Sequence, residues 1–203
     1  MCIRDSPWRD TNDPYKIWLS EIILQQTKVQ QGLPYFNNFI REFPTIFDLA
    51  KSSEDKVLKL WQGLGYYSRA RNLHYTAKYI CSKYDGDFPK DYKDILSLKG
   101  VGDYTASAIS SFAYNKRYAV LDGNVIRVLS RVFGIDSYFD TTSGKKQFKK
   151  LADFNLPIKD SYTYNQAIME FGALVCTPKA PKCIDCTFPV SYTHLRAHET
   201  THD

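Results

Sequence analysis

Leu96-Ser97-Leu98-Lys99-Gly100-Val101-Gly102-Asp103-Tyr104-Thr105-Ala106 reads as a tight turn between two helices. Gly100 and Gly102 flank one apolar residue, Val101, and both can take backbone angles that a side chain would forbid. Glycines this close leave N–H groups bare at the start of the next helix, where an anion can sit. The alternative is a helix–helix connection that needs glycine only for tightness. Downstream, Val120-Leu121-Asp122-Gly123-Asn124-Val125 places a lone carboxylate just before a new apolar-periodic run.

Outward from this turn, helix patterns are nearly continuous and strand patterns nearly absent. Pro14 to Gln31 predicts a helix, with Asp13 as N-cap and Pro14 at the first helical position. Leu33 to Phe43 predicts a short helix stopped by Pro44, and hydroxyl caps open Thr45 to Lys51 and Ser53 to Leu60. Further helices are expected over Tyr67 to Lys83, Asp91 to Leu98, Asp103 to Tyr114, Asp122 to Phe133, Gly144 to Leu151 and Asp160 to Val175. Gly134 to Ser143 and the cysteine segment are the long-loop candidates. The expected fold class is all-α, with no internal repeat and no low-complexity linker.

The 203 residues suffice for one large domain or two small ones. A net charge of +5, from 27 basic and 22 acidic residues, permits nucleic-acid binding without demanding it. No apolar run approaches the ~20 residues of a membrane span, and nothing resembles a signal peptide. Five cysteines, three of them within Cys176 to Cys186, suit a metal or cluster site in a reducing compartment better than disulfides. Cys81 reads as a small buried apolar residue. Both ends look foreign. Residues 1–6, with Cys2, and 190–203 resemble translated sequencing-adapter read-through, so the natural segment is expected over about Pro7 to Pro189, truncated at both ends. His198-Glu199-Thr200-Thr201-His202 formally matches a zinc-protease motif, but it lies in that tail with no core to hold a helix.

Asp122 alone is an ordinary N-cap. However, Ala119, Val120 and Leu121 bring it to the edge of a core, and Gly123 clears space in front of it. A carboxylate there can stabilise a positively charged sugar transition state. Lys145, Lys146, Lys149 and Lys150 share one helical face, either simply solvated or set against phosphates. Cys176, Cys183 and Cys186, spaced by six and two residues, can wrap one metal site.

The hairpin, the downstream aspartate and the cysteines together resemble the helix-hairpin-helix superfamily of DNA glycosylases. Pro7-Trp8-Arg9, Trp18-Leu19-Ser20-Glu21-Ile22-Ile23-Leu24-Gln25-Gln26-Thr27, Leu60-Trp61-Gln62-Gly63-Leu64-Gly65-Tyr66-Tyr67-Ser68-Arg69-Ala70-Arg71-Asn72-Leu73 and Tyr164-Asn165-Gln166-Ala167 resemble its MutY-type adenine DNA glycosylase branch. The resemblance covers nearly all of Pro7 to Cys186. It implies a helical barrel over residues 14–117, a second helical subdomain over 118–189 carrying the cysteines, and an active-site cleft between them. Relatives carry a further helix before this region and a domain that reads 8-oxoguanine after it. Without them, selectivity for the lesion partner is expected to weaken.

The implied substrate is double-stranded DNA with adenine opposite 8-oxoguanine or guanine. The chain is expected to act as a monomer, without a membrane, in a bacterial-type cytoplasm. Endonuclease III-like relatives carry a lysine where Tyr104 stands, and that amine forms a Schiff base. Tyr104 therefore implies base removal without strand cleavage. Glu21 lies in the apolar stretch Ile17 to Leu24, where desolvation raises a carboxyl's pKa toward that of a general acid; the plain reading is a solvated helix face. In the family this glutamate protonates a ring nitrogen of adenine, and Asp122 stabilises the developing oxocarbenium ion. Tyr104 and Asn124 then orient groups around the sugar. Arg9 and Gln166 lie near the adenine, and Gly100, Val101 and Gly102 hold the DNA backbone. Gln26 and Tyr66 wedge into the duplex beside the opposing base, against the plain readings of a surface amide and a core aromatic. The cysteines would ligate a 4Fe–4S cluster, whose fourth ligand position is Tyr192 here. The alternatives are a bifunctional endonuclease III-type glycosylase and lyase, a non-catalytic helix-hairpin-helix DNA-binding module, and an iron–sulfur redox protein.

Overall fold

The computed structural model describes Trp8, Arg9 and residues 11–188. The terminal segments, including Pro7, Cys2, Tyr192 and the His198 to His202 motif, lie outside the described residues. Among the described residues, ten α-helices follow in chain order: α1 (Pro14–Leu24), α2 (Val29–Glu42), α3 (Ile46–Lys51), α4 (Glu54–Trp61), α5 (Ser68–Tyr84), α6 (Tyr92–Leu96), α7 (Asp103–Tyr114), α8 (Gly123–Phe133), α9 (Thr142–Asn155) and α10 (Ser161–Leu174). A 3-10 turn, Cys183–Asp185, comes last. No strand occurs among the described residues, so the fold is all-α as expected. Among the same residues, no helix is long and apolar enough to cross a membrane.

Local chemistry explains most boundaries. Asp13 accepts a hydrogen bond from Tyr15 N at 2.9 Å and starts α1 beside Pro14. Thr45 and Ser53 cap α3 and α4 through their hydroxyls. The expected helix from Pro14 to Gln31 is instead broken. α1 stops at Leu24, Gln26 takes a left-handed φ of 55°, and α2 begins at Val29 and runs through Pro34. The cause is tertiary. The Arg69 guanidinium, on α5, occupies the Ile22 and Ile23 carbonyls of the last α1 turn and the Gln25 carbonyl just beyond it. α9 starts at Thr142, two residues before the expected Gly144, because the Thr141 hydroxyl accepts from Gly144 N at 3.0 Å.

Two compact units divide the chain, one through Tyr114 and one from Asn115. In the first, α1 is buried nearly all round and packs against α2, α5 and α7. Trp18, Leu19, Ile23, Phe39, Trp61, Leu73, Ile80 and Ile95 form its fully buried interior. Phe39 meets Trp61 edge to face at 5.8 Å. Cys81, expected to be buried, is only half-buried, with its thiol 3.8 Å from the Ile46 carbonyl. In the second unit, α8 packs on α10 and α9 around Ala119, Val125, Leu129, Ile135, Phe148, Ala152 and Leu156.

Candidate functional site

The hairpin joins α6 to α7. Gly100 has a φ of 84°, and a Cβ there would meet the Asn72 Cβ at 3.0 Å. Gly102 differs from expectation: its φ is not in the left-handed region, and a Cβ there would meet nothing within 4 Å. Its freedom is therefore not needed by the turn, and it leaves open space before α7. The Gly102 carbonyl accepts the first α7 bond from Ala106 N at 2.9 Å. Thr76 donates to the Lys99 carbonyl at 3.0 Å, and Tyr92 donates to Asp103 at 3.1 Å across the hairpin. Val101 is buried, whereas Tyr104, in the first turn of α7, is half-buried.

Glu21 lies in the C-terminal half of α1 and is 8% exposed. The solvated-face reading therefore does not hold. Gln26 is exposed in the turn that follows. Tyr66 is 67% exposed with a φ of 47°, so it is no core aromatic. Arg9 is half-buried, next to Trp8, whose ring meets Phe36 edge to face at 5.0 Å.

Composition and spacing gave no sign of Arg69. Its Nη1 donates to the Ile22, Ile23 and Gln25 carbonyls at 3.1, 2.9 and 2.6 Å and lies 3.4 Å from the Thr27 hydroxyl. Its Nη2 donates to the Leu64 and Gly65 carbonyls at 3.2 and 3.3 Å. The guanidinium also stacks over the rings of Trp61 and Tyr66, 5.1 and 5.7 Å from their centroids. Burial pulls its pKa below the usual arginine value, yet an arginine stays charged. One cation thus serves the turn carrying Gln26 and the turn carrying Tyr66.

In the second unit, Asp122 is the N-cap of α8. Its Oδ1 accepts from Val125 N at 2.7 Å and its Oδ2 from Asn124 Nδ2 at 2.8 Å. The cap and a chemical role do not exclude each other, because the cap fixes the carboxylate in place. Asn124 Oδ1 accepts in turn from Arg127 Nη2 at 2.9 Å. Arg127 also donates to the Cys176 carbonyl at 2.7 Å and the Gly172 carbonyl at 2.6 Å. Burial lowers its pKa, opposed by the nearby Cys176 and Asp122. Arg131 donates to the Thr177 carbonyl at 2.8 Å and lies 3.4 Å from the Cys176 sulfur. Asn124, Arg127 and Arg131 fall at i, i+3 and i+7, one helical face, which is the signal that would have revealed the pair of arginines.

Asn165, 1% exposed on α10, accepts from Val120 N at 3.1 Å and donates to the Tyr118 carbonyl at 2.8 Å. It thereby fixes the backbone leading to Asp122. Its neighbour Gln166 has a buried Oε1 with no hydrogen-bond partner. Burial pushes the Tyr164 phenol up.

Cys176, Cys183 and Cys186 line one small open pocket with Arg131 and Pro181. No group of three metal-ligating side chains close enough to hold an ion occurs among the described residues. A 4Fe–4S cluster takes four thiolates. This chain offers three at the expected spacing, and the fourth position, Tyr192, carries a phenol. The donor set does not fit a complete cluster, and no chemical step is assigned to one.

The residues fall into two groups with this geometry. Gln26 and Tyr66 are joined through Arg69 in the first unit. Asp122, Asn124 and the Cys176 loop are joined through Arg127 in the second. Residues 19–153 match the HhH-GPD superfamily of base excision DNA repair proteins. The chain belongs to that superfamily. It is 43% identical over 183 residues to the adenine DNA glycosylase of Buchnera aphidicola subsp. Schizaphis graminum, covering 90% of this chain and 53% of that protein. The chain spans about half the length of the curated relatives it matches. A thermostable thymine-DNA glycosylase structure is similar with a TM-score of 0.84 at 33% identity, covering 91% of this chain and 85% of that one. An endonuclease III–DNA complex shares the fold at 20% identity, with a TM-score of 0.77 over 92% of this chain and 86% of that one.

Proposed function

We propose that this chain removes adenine from mispaired DNA by hydrolysing the N-glycosidic bond. The observation that carries the reading is the contrast between two carboxyls. Glu21 is buried on α1 among apolar residues, whereas Asp122 is held by two hydrogen bonds at a helix N-terminus. The two carboxyls thus differ in burial and in hydrogen bonding, an asymmetry that acid-assisted glycosidic cleavage can use. The similarity to adenine DNA glycosylases supplies the base.

In this reading the hairpin grips the DNA backbone through N–H groups before α7, where open space at Gly102 admits a phosphate. Gln26 and Tyr66 enter the duplex, and the adenine is flipped out toward Arg9 and Gln166. The unpartnered Gln166 Oε1 suits the adenine amino group. Glu21 gives its proton to a ring nitrogen. The C–N bond breaks, and its electron pair leaves with the base. Asp122, steadied by Asn124, stabilises the cationic sugar. Water adds to C1′ and yields its proton to the ionised Glu21, which resets the acid and leaves an abasic site. Tyr104 offers no amine for a Schiff base, so no strand cleavage follows. The partner is double-stranded DNA with adenine opposite 8-oxoguanine or guanine, met by a monomer in the cytoplasm.

The test is single-turnover release from a duplex carrying adenine opposite 8-oxoguanine. E21Q and D122N are each expected to slow release by about 100-fold or more while retaining DNA binding. A parallel duplex carrying thymine opposite guanine tests the base named for the similar thymine-DNA glycosylase. Thymine release without adenine release, or adenine release untouched by either substitution, overturns the reading.

A further inference from the structure

Gln26 and Tyr66 are the two exposed residues of the first unit that combine a left-handed backbone with a proposed role in opening the duplex. A non-glycine residue in that region costs about 1–3 kcal/mol and persists only where its surroundings over-determine it. Both turns are over-determined by one side chain. Nη1 of Arg69 addresses only the turn at residues 22–27, and Nη2 only the turn at residues 64–65. The Nε is buried without a hydrogen-bond partner, so the two terminal nitrogens make the hydrogen bonds of this side chain. The Ile22 and Ile23 carbonyls belong to the last turn of α1 and lack partners within their own helix. A cation arriving from another helix satisfies them and stops the helix there.

We propose that Arg69 is a positioning residue that sets the distance and attitude of Gln26 relative to Tyr66, and thereby the opening of the duplex rather than the breaking of the glycosidic bond. This inference rests on the reading given above of those two residues as the wedge. A lysine at this position has one nitrogen where the arginine has two, so it can hold one turn or the other. R69K therefore keeps the charge and the stem but uncouples the two turns.

Two measurements on the intact chain test it. The amides of Thr27 and Leu64 are hydrogen-bonded within the two turns, each at 3.1 Å. In R69K, exchange at one or both is expected to quicken about tenfold, the scale of one lost charge-assisted hydrogen bond. Exchange at Leu73, Ala77 and Ile80 in the interior of α5 is expected to stay unchanged. Acceleration along all of α5, or at neither turn, overturns the inference.

The second measurement is a double-mutant cycle on single-turnover adenine release. R69K is expected to slow release about tenfold in the wild-type background but less than about twofold in Q26A/Y66A, because the residues it positions are already gone. Equal slowing in both backgrounds overturns the inference while leaving the proposed function intact. A wild-type chain that releases no adenine fails the proposed function and this inference with it. Should R69K not fold, R69Q, which removes the charge and whose single amide donor ends near the position of the arginine Nε, short of both turns, enters the same cycle with the same outcomes.

Discussion

Asp122 commits both carboxylate oxygens to neighbours, one to Val125 N and one to the Asn124 amide. Asparagine at this position keeps an oxygen for the cap but turns an amide toward another amide. D122N is therefore expected to melt within about 1 kcal/mol of the wild type, since asparagine caps helices nearly as well as aspartate. Its loss of activity would then report the missing charge rather than a lost helix. The two hairpin glycines separate in the same way. G100A forces a side chain into a φ of 84° and against Asn72, and is expected to cost about 1–2 kcal/mol by thermal melting. G102A meets open space and is expected to leave stability within about 0.5 kcal/mol. It should nevertheless weaken DNA binding at constant salt, because a methyl group then stands where the phosphate would approach. Equal melting losses for the two variants would contradict this division.

At the scale of elements, α8 and α10 cross where Gly172 faces Asn124. A Cβ at Gly172 would lie 2.7 Å from the Asn124 Cβ and 2.8 Å from its carbonyl oxygen. Alanine there either forces the helices apart or displaces Asn124 from Asp122. G172A is expected to destabilise by about 1–3 kcal/mol, the range for overpacking, and to slow base release more than it weakens DNA binding. Unchanged melting would show that the crossing relaxes freely. The α1 boundary teaches a related lesson. Ile17, Trp18, Ile22, Leu24 and Val29 keep a helical period across Gln25 to Lys28, and no breaker interrupts them. The break is imposed by Arg69 from 47 residues away, so periodicity along the chain had nothing to register.

For the whole molecule, a net charge of +5 leaves the strength of the DNA contact to local clusters. Lys145, Lys146 and Lys150 on α9 are exposed, whereas Lys149 pairs with Asp153 at 3.0 Å. If that face meets phosphates, the triple alanine variant should lower the slope of log binding constant against log salt by up to about 0.9 per lysine. An unchanged slope identifies a merely solvated face. The all-α class, the hairpin with its left-handed Gly100, the caps at Asp13, Thr45, Ser53 and Asp122, and the grouping of three cysteines were all legible from residue types and spacing. Each is a matter of a few neighbouring residues, and short-range sterics and hydrogen bonds decide it. The burial of Glu21 was legible from the apolar stretch Ile17 to Leu24 around it, whereas the exposure of Tyr66 was not, since an aromatic residue after Gly65 fits a core and a surface alike. Nor were the two arginine clamps. Arg69 reaches carbonyls 44 to 47 residues earlier, and Arg127 a carbonyl 49 residues later. Residues that far apart in the chain become neighbours only once the helices have packed, so tertiary structure alone decided which carbonyls those cations hold.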